Sequence, residues 1–128
     1  MNAQVIVLGV DDHGFMETPP DAWSVAWYDF SARPGTGGNA VFSGQSLPGP
    51  AVFTNLHALV RGDRVEVRLT DGTVIGYAVT STQEVGPDTN PRPLIGPSAS
   101  EQVTLIACVF SGPELELTGW LIVKAERH

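Results

Sequence analysis

The sequence predicts an all-β domain, and three observations carry that prediction. Fourteen Gly and ten Pro punctuate the chain, which is the composition of short strands joined by turns. The apolar residues fall mostly in short β-branched runs such as Val5-Ile6-Val7-Leu8 and Val103-Thr104-Leu105-Ile106. Only one stretch has helical spacing, and it is short. At 128 residues the chain fits one domain over 1–128 and is long enough to remove roughly two-thirds of its unfolded surface from water.

Taken in order, Gln4 to Val10 reads as a strand, apolar and β-branched. Asp11-Asp12-His13-Gly14 follows with ordinary turn chemistry; two carboxylates and one imidazole are too few for a hard-cation loop, so no metal is expected. Thr18 to Asp21 contains Pro19-Pro20 and reads as an extended connector. Trp23, Trp27, Tyr28 and Phe30 then form an aromatic patch expected to pack against the sheet. The loop from Arg33 to Gly38 lacks the G-x-G-x-x-G spacing and precedes no helix, which argues against a phosphate cradle.

Asn39 to Gly44 is the next expected strand, and Gln45 to Pro50 a short loop. Phe53, Leu56, Leu59 and Val60 recur at helical spacing, with Thr54 or Asn55 able to cap and Gly62 to stop the turn. Arg64 to Leu69 alternates charged and apolar residues as a half-exposed strand does, and Asp71-Gly72 supplies a hairpin turn into Thr73 to Ser81. Val85 to Ser100, with four prolines, reads as a long loop of the kind that walls a site. Val103 to Phe110 is apolar on both faces and hence central; after a loop from Ser111 to Gly119, Trp120 to Ala125 closes the sequence of strands.

Charge and cysteine usage limit the function. Fourteen acidic against seven basic residues give a net charge of −7, which repels phosphate backbones and anionic lipid and argues against nucleic-acid binding. A cationic or neutral partner suits it better. The single cysteine, Cys108, can form no internal disulfide. No apolar run reaches the roughly 18 residues of a membrane span, and no basic region precedes the N-terminal apolar stretch as in a signal peptide.

Several motifs together resemble the sortases, the cysteine transpeptidases that attach surface proteins to Gram-positive cell walls. Thr104 to Cys108, TLIAC, is similar to the family's Thr-Leu-x-Thr-Cys signature ending on the nucleophile. GGNAVFSGQ followed by AVFTNLHALVRGDRVEV resembles the family's strand, Gly-His, Phe-x-x-Leu short helix and Gly-Asp before the next strand. GVDDHGFMETPPDAWSVAWYDFSARPG resembles the N-terminal part of the actinobacterial-type sortases. The resemblance implies a closed sortase-like β-barrel of seven to eight strands with one or two short helices, a chain that opens within the family's second strand, a location at the cell surface, and a peptide sorting signal as partner, with no cofactor.

The same resemblance implies the site. Cys108 takes the nucleophile position, Gln45 stands where the family has histidine, and Trp120 where it has arginine; Ala107, Thr104 and Arg92 are implied as substrate-binding. In the family the thiolate attacks the sorting-signal carbonyl, the histidine protonates the leaving amine, and the arginine stabilises the oxyanion or holds the peptide. Gln45 has no titratable proton, and Trp120 offers one neutral N–H in place of a charged fork. His57, His13, His128, Arg92 and Arg127 are the remaining candidates to stand in, and no pattern directs any of them to Cys108. Three readings stay open: a degenerate sortase that keeps the barrel and peptide groove, a working transpeptidase or hydrolase with a rearranged base, and a non-catalytic β-barrel interaction module.

Overall fold

A computed structural model describes residues 5–127; Gln4 and His128 lie outside the described residues. Seven strands form one curled, half-barrel sheet: β1 (Val5–Leu8), β2 (Val25–Tyr28), β3 (Asn39–Ser46), β4 (Arg64–Arg68), β5 (Val74–Val85), β6 (Gln102–Ser111) and β7 (Glu116–Arg127). Their spatial order is β1-β2-β3-β6-β7-β5-β4. The β1–β2 and β3–β6 pairs are parallel, and the other four are antiparallel. The all-β architecture expected from the Gly/Pro punctuation is thus present, and Val103–Phe110 lies within a central strand.

The middle of β6, Val103 to Cys108, is buried on both faces, the situation in which alternation disappears from a sequence, and Thr104 is its one polar residue. On one face Phe42, Phe53, Tyr77, Val103, Leu105 and Val123 belong to the larger core. On the other, Tyr28, Val41, Ile106 and Ile122 form a second cluster, covered by Ile95 and by the partly buried Leu8, Met16 and Leu94. The 86–101 segment and the N-terminal segment around Met16 are therefore a second layer over the sheet.

Several elements differ from expectation: β3 runs on through Gln45 and Ser46, positions expected in a loop, β5 extends to Val85, and the long loop contains a 3₁₀ turn at Arg92–Ile95. Val25–Tyr28, inside the aromatic patch, is a strand: Val25 and Ala26 are buried, and its four residues pair with β1. The stretch with helical spacing forms only a 3₁₀ turn, Leu56–Ala58: Asn55 makes no side-chain cap bond, and Phe53 and Leu56 are buried while Leu59 packs only partly against the core and Val60 is exposed. β7 begins at Glu116, so the Ser111–Gly119 loop shrinks to a hairpin whose Leu115 N–H donates to the Gly112 carbonyl at 3.2 Å. The edge strand β4 exposes Arg64, Glu66 and Arg68, charges that discourage pairing with another chain.

A polar clamp ties the 33–38 loop to the sheet. The Glu101 carboxylate accepts from the Gly35 and Gly37 amides at 3.0 and 2.7 Å and from the Tyr77 hydroxyl. Partial burial pushes this carboxyl up, yet the Tyr77 and glycine hydrogen bonds outweigh it and hold it below its ordinary value.

Candidate functional site

The site is built from sheet register. β6 runs between β3 and β7, and the pairing sets Gln45 beside Cys108 and Cys108 beside Trp120. Residues that pair across neighbouring strands share a face, so three positions spread over 75 residues of sequence (45 to 120) become one row. Two glycines fix that row. A Cβ on Gly44 would stand 2.7 Å from both Phe53 and Val52, and one on Gly119 would stand 2.5 Å from the Val85 carbonyl oxygen. Gly119 also has φ of 152°, a conformation side chains rarely adopt. Just beyond the row the β6–β7 register shifts between Val109 and Phe110, a bulge that turns the strand ends outward.

Each member of the row has a defined environment. Cys108 is 2 % exposed, and burial pushes its thiol up to about 11; the Trp120 side chain acts in the opposite direction without cancelling this. Gln45 is half-buried and its Nε2 donates to the Pro19 carbonyl at 3.0 Å. That amide is therefore committed to the backbone of the N-terminal segment. Trp120 is half-buried and packs against the Tyr28–Ile106–Ile122 cluster.

Above Cys108 lies a recess of about 210 Å³ with Tyr28, Ile106 and Trp120 beside it. One wall is Phe15, Met16 and Thr18, and the other is the segment 87–91. Asp11 shapes the first wall: its carboxylate accepts the His13 and Phe15 amides at 2.9 and 3.0 Å, which makes the acidic cluster a turn. Arg92 links the walls from outside, donating to the Gly14 carbonyl at 3.4 Å and lying 5.0 Å from the Phe30 ring centroid.

Thr104 and Ala107 do not face this recess. Thr104 is wholly buried; its hydroxyl donates to Asn39 Oδ1 at 2.8 Å, while Asn39 Nδ2 donates to the Ile95 and Gly96 carbonyls at 3.3 and 3.0 Å. Its work is to pin the 86–101 segment to the sheet. Ala107, adjacent to Cys108 in sequence, belongs to the core on the opposite face, since strand neighbours point to opposite sides. Arg92 lines a different recess, with Phe30, Asn39 and Ile95.

The possible substitute groups are also elsewhere. His57 is exposed, its Nδ1 3.1 Å from the Thr54 carbonyl oxygen, and it lines a recess with Ala107 on the far face of β6. His13 is exposed in the Asp11 turn. Arg127 stands seven residues along β7 from Trp120, about 23 Å at strand rise. His128 lies outside the described residues.

Sequence reasoning missed Tyr28 and Asp88. The Tyr28 hydroxyl donates to the Glu17 carbonyl at 2.7 Å and lies 2.9 Å from Ser43 Oγ, with burial pushing the phenol up to about 12. Asp88 is exposed on the second wall. Neither carries a local motif; only the fold of the 86–101 segment over β6 brings them near Cys108.

The family model for the Sortase domain matches residues 1–128, and the chain belongs to the sortase family. Among solved structures it is similar to sortase A from Corynebacterium diphtheriae, at 28% identity over 81% of this chain and 47% of that one, TM-score 0.66. It is similar to sortase C-1 from Actinomyces oris, at 26% identity over 81% of this chain and 58% of that one, TM-score 0.67. Sortase A of Listeria monocytogenes, at 20% identity, shares the fold over 100% of this chain and 79% of that one, TM-score 0.73. The chain thus spans about half the length of several sortases it matches. Comparison with curated proteins gives no match.

Proposed function

We propose that this chain is a degenerate sortase domain: a barrel that binds a sorting-signal-like peptide over Cys108 at the cell surface and lacks efficient transpeptidase chemistry. The observation that carries this reading is the row Gln45–Cys108–Trp120, in which neither strand neighbour of the nucleophile position is titratable or carries a charge. Sortase chemistry needs the thiolate to add to a peptide carbonyl, a proton delivered to the departing amine, and donors for the oxyanion. Gln45 can deliver no proton, and its amide is engaged by Pro19. General acid–base assistance is worth about 10²–10⁴ in rate, and an oxyanion donor about 10²–10³. A buried thiol held at about 11 also leaves little thiolate at neutral pH.

The test is turnover of sorting-signal peptides by the purified protein, with Cys108→Ala as control. Peptide binding without cleavage or ligation is the expected result. Cleavage or transfer at the rate of an ordinary sortase, abolished by Cys108→Ala, would establish a working transpeptidase with a rearranged base and end the degenerate reading. Absence of any peptide binding would leave a barrel serving some other interaction.

A further inference from the structure

The recess above Cys108 has an unusual electrostatic character for its row. Three aromatic rings, Phe15, Tyr28 and Trp120, line it together with one carboxylate, Asp88, and no Lys, Arg or His lines it. Phe15 is 60% exposed, so its ring is available at the mouth. Asp88 forms no ion pair, the Arg64–Glu66 bridge being the only one among the described residues. Arg92, the nearest cation in sequence, directs its guanidinium to the Gly14 carbonyl and the Phe30 ring and lines the neighbouring recess. The Glu17 carboxylate is not part of the lining; it accepts the Gly9 amide at 3.0 Å.

We propose that this recess takes a cationic group, the ammonium or guanidinium of a basic side chain, held between the faces of Phe15 and Trp120 with Asp88 as its counter-charge. Where the resemblance implies two basic partners for the cysteine, this chain presents rings and a carboxylate, a lining that favours positive charge. Aromatic faces attract cations through their quadrupoles, and the lone Asp88 adds Coulomb attraction that salt can screen. A neutral ligand of the same shape gains neither. Overall charge of −7 assists the encounter. This deepens the peptide-binding reading by naming a basic residue in the bound peptide, and its test separates the two.

The probes are n-butylammonium, n-butanol and butyrate, titrated into the intact protein while the Trp120 indole N–H is followed by NMR and identified by its loss in Trp120→Phe. The ammonium should bind about three- to tenfold tighter than the alcohol, the sum of one exposed ring contact and one exposed charge pair, and butyrate weakest. Asp88→Asn, a change at an exposed site, should reduce that preference about threefold, as should salt at about 1 M. Equal binding of alcohol and ammonium, an unchanged preference in Asp88→Asn, or no shift at Trp120 overturns the proposal. A second titration uses two peptides that differ only by Lys or norleucine. If butylammonium binds and neither peptide does, the cation site stands and the peptide reading falls; if both peptides bind equally, the reverse holds.

Discussion

Alkylation of Cys108 as a function of pH probes the chemistry of the row directly. The thiol is buried among Tyr28, Ile106 and Trp120 and sits at about 11, two above a reference of 9.0. Two pKa units correspond to about a hundredfold less thiolate at neutral pH, and the thiolate is the species that reacts. Iodoacetamide in excess should therefore label the native protein at least about a hundredfold more slowly than the same chain in denaturant at the same pH. The native rate should climb tenfold per pH unit through pH 9, since no ionisation of Cys108 intervenes below that range. A plateau between pH 6 and 8, or a native rate equal to the unfolded one, would refute the reasoning, because either requires a stabilised thiolate. The double change Gln45→His with Trp120→Arg places a titratable ring and a cation on the two flanking positions. It should move the rise of the labelling curve toward neutral pH; an unmoved curve would mean that burial alone governs the thiol.

Other expected outcomes concern the supports of the site. Glu101→Ala removes the acceptor for Gly35, Gly37 and Tyr77 and should cost about 2 kcal/mol by denaturant unfolding. Because the folded carboxyl lies below its ordinary value, its contribution is present above the unfolded pKa and is lost as pH falls through the folded one; wild type should therefore lose stability on acidification below about pH 4.5 more steeply than Glu101→Ala. Asn39→Leu strands the Ile95 and Gly96 carbonyls and the Thr104 hydroxyl, a loss of about 2–3 kcal/mol; hydrogen exchange should rise first in 86–98, and uniform change across the sheet would contradict the pinning role. Gly119→Ala forces a Cβ against the Val85 carbonyl and should lower the unfolding midpoint by several degrees, while Gly86→Ala, with open space around it, should not.

The central strand was legible because burial on both faces writes itself as an unbroken apolar run, and the β4–β5 hairpin because Asp71-Gly72 sits between two alternating segments. β2 was hidden: four residues are too few for period-two alternation to emerge, and four aromatic residues in and around it suggested a packed patch. Helical spacing at Phe53–Val60 misled because its apolar residues reach the core from a single uncapped turn, leaving Val60 exposed. The row itself rests on likeness to a family, and register then sets its three positions side by side. Strand alternation already sends Ala107 away from the face of Cys108, and Thr104, on the same face, is consumed by Asn39. What no local pattern contains is the packing of Arg92 on Phe30, or of Asp88 near Trp120, since both depend on how the 86–101 segment lies across the sheet.

The parallel pairing of β3 with β6 has a consequence for how such a site persists. Ser46 and Gln102 are 56 residues apart, so the chain between them must be drawn into a loop before the ladder forms, at an entropic cost repaid only by the completed pair. That same ladder is what sets Gln45 beside Cys108. Assembly of the sheet and assembly of the row are one event, and a sequence that folds this way recreates the geometry whether or not the residues on it can react. The recess lined by Trp120 and Asp88 is thus set by the pairing of the strands rather than by the chemistry of the side chains that line it.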